Sequence, residues 1–283
     1  MAVVHNKAMV PAPFDREAFG AFEREGWDLV GAGYADTFGL VTRHAAAPLL
    51  QAVRAGPGVR LLDVCCGPGF VTIEAARRGA DATGTDIAPS MFAHTQRAFP
   101  GILFRQGDAQ ALPFPDAAFD AVVCGFGVLH LPDPEQGVRE AFRVLRPGGR
   151  YALTDWQPAA PGTFRGLLPE AVRRHGNPAV LVPQGPGAGR FADPDYSASV
   201  LRAAGFTETE SRILDLELAG IPATGVLDAL ILGTVRNRAL FAGQTPQAQA
   251  AIRTEVAALA KPFERDGTVR IPSPAVLVAA SKP

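Results

Sequence analysis

The chain is short of cysteine, of net charge and of long apolar runs, and each shortage excludes something. Its 283 residues include three cysteines; Cys65 and Cys66 are adjacent and Cys124 stands far off in sequence. With no CxxC pair and no even set, neither a disulfide framework nor a metal site is expected, and the expected compartment is the reducing cytoplasm. Charge is nearly balanced, 27 basic against 28 acidic residues for a net of −1. Nucleic-acid binders draw much of their affinity from neutralising phosphates and carry a basic excess, so no nucleic-acid partner is expected. No run reaches the ~18 consecutive apolar residues of a membrane span. The N-terminus, MAVVHNKAMVPAPF, has no basic stretch leading into an apolar one, so neither membrane insertion nor secretion is expected. Apolar residues are not scarce. At 47% they suffice for a large core, and 30 Gly with 25 Pro point to many turns rather than disorder.

Periodicity divides the chain into three parts. Residues 13–55 read as helical, with Phe14, Phe19, Phe22, Trp27 and Leu29 at spacings of three to five, and residues 1–55 are assigned to an N-terminal helical lid. From Val59 short apolar runs alternate with helical stretches: VRLLDV, ADATGTD, ILFRQGD, FDAVVCGFG and RYALTDW, with Arg146-Pro147-Gly148-Gly149 ending the helix before the last. Such alternation implies right-handed strand–helix–strand units and a parallel sheet covered on both faces, here the core 56–156. Beyond Trp156 the pattern loosens. Residues 157–195 read as an irregular connection with a short helix near Leu168–His175, 196–204 as a helix capped by Gly205, and FTETESRILDLEL as one strand. Helices at 224–241 and 246–262 follow, then a final strand in SPAVLVAASKP. The part 157–283 thus completes the sheet and carries a helical cap at about 217–262.

The segment LLDVCCGPGF, residues 61–70, carries the most chemistry. A strand runs into a turn containing Gly67 and Gly69 and then into a helix, which offers backbone N–H groups to a bound anionic group at the strand ends. A dinucleotide fingerprint needs GxGxxG, and Thr72 stands where its third Gly belongs. Asp63, two residues before Cys65, suits a cationic ligand better than a pyrophosphate.

Four stretches together resemble class I S-adenosylmethionine-dependent methyltransferases, within them the ubiquinone/menaquinone C-methyltransferase-like small-molecule group: LLDVCCGPG (61–69), TGTDIAPSM (83–91), RQGDAQALPF (105–114), and FDAVVCGFGVLHLPDP (119–134) leading to LRPGG (145–149). The resemblance implies a Rossmann-like α/β fold, doubly wound, with a mostly parallel seven-stranded sheet and an antiparallel C-terminal strand. It implies S-adenosylmethionine as cofactor and a small-molecule methyl acceptor. By the same resemblance Asp63 orients the turn and the methionine ammonium, and the backbone of Cys65, Gly67 and Gly69 faces the methionine part. Asp86 accepts from both ribose hydroxyls, Ile87 and Met91 pack on adenine, Asp108 accepts from its amino group and the Ala109 N–H donates to a ring nitrogen. Cys124 offers its carbonyl to the ammonium with Phe126 close by. The family usually has Gly at position 65, so Cys65 is expected to fit without the glycine-only backbone region. Read without the resemblance, Asp86 and Asp108 are strand-end or helix-capping acids, Asp120 is structural, and the Cys65-Cys66 pair is a packed turn.

The reaction implied is in-line displacement at the sulfonium by C, O or, behind them, N; alignment supplies much of the rate, and a phenol or enol acceptor gains from a general base. His130, after the fourth strand, is the candidate base; the alternative is a histidine that only holds its loop. Tyr34 is a candidate aromatic over the cofactor, with core packing as the alternative. Asp155 and Trp156 are candidates to line the acceptor pocket, while Arg236, Arg238 and Arg253 read as a solvated face, with carboxylate binding as the alternative. The apolar cap helices favour an aromatic or lipophilic acceptor and are also candidate surfaces for a homodimer. The rival readings are an RNA or protein methyltransferase, a non-catalytic S-adenosylmethionine-binding module and a nicotinamide oxidoreductase.

Overall fold

The computed structural model describes residues 14–283. The first thirteen residues, with His5 and the start of the assigned lid, lie outside the described residues. The described residues contain ten strands: β1 Arg60–Val64, β2 Asp81–Asp86, β3 Leu103–Gln106, β4 Phe119–Gly125, β5 Leu145–Trp156, β6 Thr207–Leu214, β7 Glu217–Ala219, β8 Glu264–Arg265, β9 Thr268–Pro272 and β10 Ala275–Ser281. Eleven α-helices accompany them: α1 Arg16–Val30, α2 Gly39–Thr42, α3 Ala46–Ala52, α4 Phe70–Arg77, α5 Pro89–Ala98, α6 Pro134–Val144, α7 Phe164–His175, α8 Pro194–Ala204, α9 Val226–Leu232, α10 Val235–Ala242 and α11 Pro246–Ala260.

Seven strands form one sheet in the order β3-β2-β1-β4-β5-β10-β6, and only β10 runs antiparallel to its neighbours. This is the fold expected from the sequence. Alternate side chains explain its two covered faces. Leu61 and Val123 enter the apolar cluster beneath α3, α4, α7 and the cap helices. Leu62, Val122 and Leu153 enter the opposite cluster, with Val138 of α6 and Leu201 of α8. Three helices open on an acid or threonine followed by proline: Asp133-Pro134, Asp193-Pro194 and Thr245-Pro246, each capping side chain accepting a backbone N–H of the first turn. Because β1 lies between β2 and β4, the strand order reverses there, and the connections leaving the carboxyl ends of β1 and β4 part to leave a crevice.

The C-terminal part departs from the sequence reading. FTETESRILDLEL is two strands, since the chain leaves the main sheet at Asp215 and β7 joins β9 and β8 in a separate three-stranded sheet. The β8–β9 hairpin turns on Asp266-Gly267, both with positive φ (51° and 79°), the dipeptide such a turn favours. The helix of the 157–195 connection begins at Phe164 and carries Pro169 inside it. The stretch 224–241 is two helices, broken at Gly233-Thr234, where a Cβ on Gly233 would lie 2.6 Å from the Phe38 side chain. That break lets the cap press onto the N-terminal helices.

Candidate active site

A cavity of about 470 Å³ opens at the crevice between β1 and β4. Three carboxylates stand at its sheet end, each at or just past the carboxyl end of a strand. Asp63 is buried; its Oδ2 accepts from the Thr72 N–H (3.0 Å) and hydroxyl (2.7 Å) of α4, and burial pushes its carboxyl up to about 7. Asp86 bridges two loops, Oδ2 accepting the Gly67 N–H (2.9 Å) and Oδ1 the Ala88 N–H (3.0 Å). Burial raises its pKa, and those two N–H groups hold it back. Asp108 turns one oxygen onto the Gln110 N–H (2.8 Å), an Asx turn that shapes the loop carrying Ala109.

Of the residues expected at the cofactor, Tyr34, Asp63, Cys65, Gly67, Asp86, Ile87, Met91, Asp108, Ala109 and Phe126 line this one cavity, together with His130. Gly69 and Cys124 do not. Gly69 (φ 82°) packs against Phe104, whose ring lies 2.8 Å from where a Cβ would stand, so its role is to let the turn meet β3. Cys124 is 2% exposed, with its side chain in the opposite apolar cluster; Gly125, Phe126 and Gly127 line the cavity instead. Asp120 lies at the other end of β4, where Arg60 and Arg146 hold its carboxyl well below the usual range.

Cys65 corrects the sequence reading. Its φ is 55°, in the left-handed region, which costs a non-glycine residue roughly 1–2 kcal/mol. It fits because residue 127 is glycine: a Cβ there would lie 2.4 Å from the Cys65 Cβ and 2.7 Å from the Cys65 and Cys124 sulfurs. The Cys124 thiol contact and burial hold the Cys65 thiol well above its ordinary range, which suits a packed turn and not a nucleophile. Gly127→Ala is therefore expected to cost about 1–3 kcal/mol through overpacking. Adding Cys65→Gly removes the nearest obstruction together with the strain. A double-mutant cycle in denaturant should show the second change recovering stability, and purely additive losses would contradict this packing.

The far end of the cavity is built by the N-terminal helices and the 157–195 connection. His130 Nδ1 lies 2.9 Å from Glu23 Oε2, and the same oxygen accepts the Trp27 indole N–H (3.0 Å). The Trp27 ring meets the imidazole edge-on at 4.8 Å between centroids. A carboxylate on Nδ1 fixes the proton there and leaves Nε2 with its lone pair. Glu23 is buried, and its Oε1 has no hydrogen-bond partner among the described residues. Sequence reasoning missed it, although an acid stood between Phe19 and Val30 on the buried face of α1. Tyr34 donates its hydroxyl to Thr42 Oγ1 (3.0 Å), burial pushing it up to about 12. Trp156 lines the cavity and stacks on Phe126 at 4.0 Å. Asp155 does not line it: its carboxylate accepts the N–H groups of Trp156, Gly189 and Phe191 and so ties the connection to the end of β5. Arg236 also departs from the solvated-face reading, since it lines the cavity, whereas Arg253 pairs with Asp228 outside it.

Comparison with known proteins gives the same picture. A family profile described as a methyltransferase domain matches residues 62–153. A demethylmenaquinone methyltransferase of Deinococcus radiodurans is 36% identical, the match covering 57% of this chain and 73% of that protein. One of Renibacterium salmoninarum is 32% identical, covering 62% and 77%. Among solved structures, the YcgJ protein of Bacillus subtilis shares the fold with a TM-score of 0.52 at 20% identity, over 84% of this chain and 98% of that one. Glu23, Tyr34 and Trp156 lie outside the matched domain.

Proposed function

The chain belongs to the class I S-adenosylmethionine-dependent methyltransferases, among the quinone C-methyltransferase-like proteins, and we propose that it methylates a ring carbon beside a phenolic hydroxyl of a small hydroquinone-type acceptor. The donor set fits the cofactor. Asp86 uses one backbone N–H per oxygen and keeps lone pairs for a diol. Gly67, without a Cβ, leaves room over the turn, and Ile87 with Met91 offers an apolar wall for a base. Asp63 lines the cavity, and its Oδ1 has no partner among the described residues, an acceptor available to an ammonium.

Bound there, S-adenosylmethionine supplies a methyl group activated by its sulfonium. The chain's residues position the acceptor and handle its proton. Glu23 keeps the proton on His130 Nδ1, so Nε2 takes the phenolic proton and the ring carbon gains electron density; Glu23 then stabilises the imidazolium, and once the carbon has taken the methyl group its own hydrogen leaves as a proton and the oxygen is reprotonated, which restores the aromatic ring. Trp27, Tyr34, Phe38 and Leu129 wall the site and exclude water. The Glu23–His130 pair, its carboxylate buried and its imidazole half-buried, faces the same cavity as the three strand-end carboxylates and carries this reading. Incubation with isotopically labelled S-adenosylmethionine and a panel of hydroquinone-type acceptors, neutral reduced demethylnaphthoquinones and carboxylated hydroquinones alike, tests it: a product with the label on a ring carbon is expected from at least one of them. Label on oxygen alone, or no transfer, would contradict it.

Asp63 gives the reading a pH signature. Its folded-state pKa of about 7 lies above the value of an unfolded aspartate, so the folded protein holds that proton more tightly. Its stabilising contribution is complete below about pH 4 and is lost as pH rises through 7. A cationic ammonium favours the ionised carboxylate, so the affinity for S-adenosylhomocysteine should rise severalfold from pH 6 to pH 8, with proton release in calorimetry. Asp63→Asn should flatten both trends, and an equal pH dependence in that variant would remove Asp63 from the site.

A further inference from the structure

Besides the exposed Arg24 of α1, two half-buried arginines line the acceptor end of the cavity without an acidic partner among the described residues. Arg165 of α7 lies over the Trp156 ring, 5.2 Å from its centroid, and donates through Nη1 to the Gln157 carbonyl (2.8 Å). Arg236 of α10 donates through Nη1 to the Pro183 carbonyl (2.5 Å). Neither makes an ion pair with a carboxylate among the described residues, whereas Arg60, Arg143, Arg150, Arg190 and Arg253 all do. The neighbouring carbonyls occupy Nη1 in each and leave the other guanidinium N–H groups without a described partner. Burial pulls Arg165 down to about 10, against the pull of Asp155, and lowers Arg236, against the pull of Glu23. Both cations are thus desolvated and incompletely compensated.

We propose that Arg165 and Arg236 hold a carboxylate of the methyl acceptor. The inference rests on the reading of this cavity as a methyl-transfer site. The three acids at the sheet end are committed to the cofactor, so they do not neutralise the arginines. At the acceptor end the lining arginines, Arg24, Arg165 and Arg236, outnumber the one lining carboxylate, Glu23, and this positive excess suits an anionic ligand. A planar guanidinium offers two parallel donors to a carboxylate, and the surrounding wall of Phe19, Phe38 and Trp156 accepts an aromatic body. Both arginines lie outside residues 62–153, the matched methyltransferase domain, in the segments that shape the acceptor end. The acceptor is then an aromatic acid and not a neutral prenylated ring.

Two measurements on the full chain test this. With S-adenosylhomocysteine bound, calorimetry should find 4-hydroxybenzoate binding roughly ten- to a hundredfold more tightly than the neutral 4-hydroxybenzamide. Arg165→Gln and Arg236→Gln should each erode that preference while leaving the affinity for S-adenosylhomocysteine unchanged. No preference, or one that survives both substitutions, overturns the proposal. Separately, label transferred from S-adenosylmethionine into a small-molecule extract should be retained on an anion exchanger at pH 7. Label only in the neutral flow-through overturns the carboxylate while preserving methyl transfer. Label in no fraction contradicts the methyl-transfer reading itself, and the inference falls with it.

Discussion

Replacing His130 by alanine is expected to lower kcat by about 10²–10⁴-fold, the range a positioned general base contributes, while the affinity for S-adenosylhomocysteine stays within about twofold. The imidazole is held by one hydrogen bond and one aromatic contact, both from α1: Glu23 Oε2 at 2.9 Å and the Trp27 ring at 4.8 Å. Neither contact belongs to the cofactor end, so its loss should leave binding there intact. Glu23→Gln separates a chemical role from a merely structural one. The amide keeps the shape but withdraws the carboxylate that holds the proton on Nδ1, so kcat should fall by about tenfold or more while KM and the affinity for S-adenosylhomocysteine stay within about twofold. Full turnover in His130→Ala, or an unchanged kcat in Glu23→Gln, would take the pair out of the reaction.

The second large effect is expected at Asp86. Asp86→Ala should weaken S-adenosylhomocysteine by about 2–3 kcal/mol, the loss of hydrogen bonds to a charged acceptor, equivalent to roughly 30- to 150-fold. The Gly67 and Ala88 N–H groups lose their partner as well, so the turn that cradles the ligand loosens together with the diol's acceptor. Removing a carboxylate whose pKa is raised by burial also relieves a desolvated charge, which limits the cost to folding. Titration calorimetry beside a thermal melt distinguishes the two: affinity should fall far more than stability. Unchanged affinity would show that Asp86 is only a cap for its own loop.

The cofactor end was legible in the sequence because its parts are local. Each of Asp63, Asp86 and Asp108 ends or directly follows a short apolar run, and the alternation of strand and helix carries all three to one sheet edge. The acceptor end was not legible, because it is assembled from remote segments by contacts with no period. Glu23 lies in an apolar helical stripe and acquires meaning only when His130, 107 residues on, meets it. Asp155 looked like a pocket residue at a strand end, yet it serves the backbone of 189 and 191, which no spacing rule reports. Arg236 sat in an apparently solvated arginine group until the break at Gly233 turned α10 onto the cavity. Cys65 shows the same limit on a smaller scale: its left-handed backbone is tolerable only with glycine at 127, a pairing visible in space alone. The hairpin at 266–267 had a readable Asp-Gly signal, but strands of two and five residues are too short to carry a period.

A crystal structure of the full chain with S-adenosylhomocysteine tests the central claim most directly. The account predicts the ribose diol on Asp86, the adenine between Ile87 and Met91 with its amino group toward Asp108, and the sulfur turned toward the His130 end of the cavity. A ligand bound with its adenine among Arg165 and Arg236, or outside the crevice between β1 and β4, would contradict it.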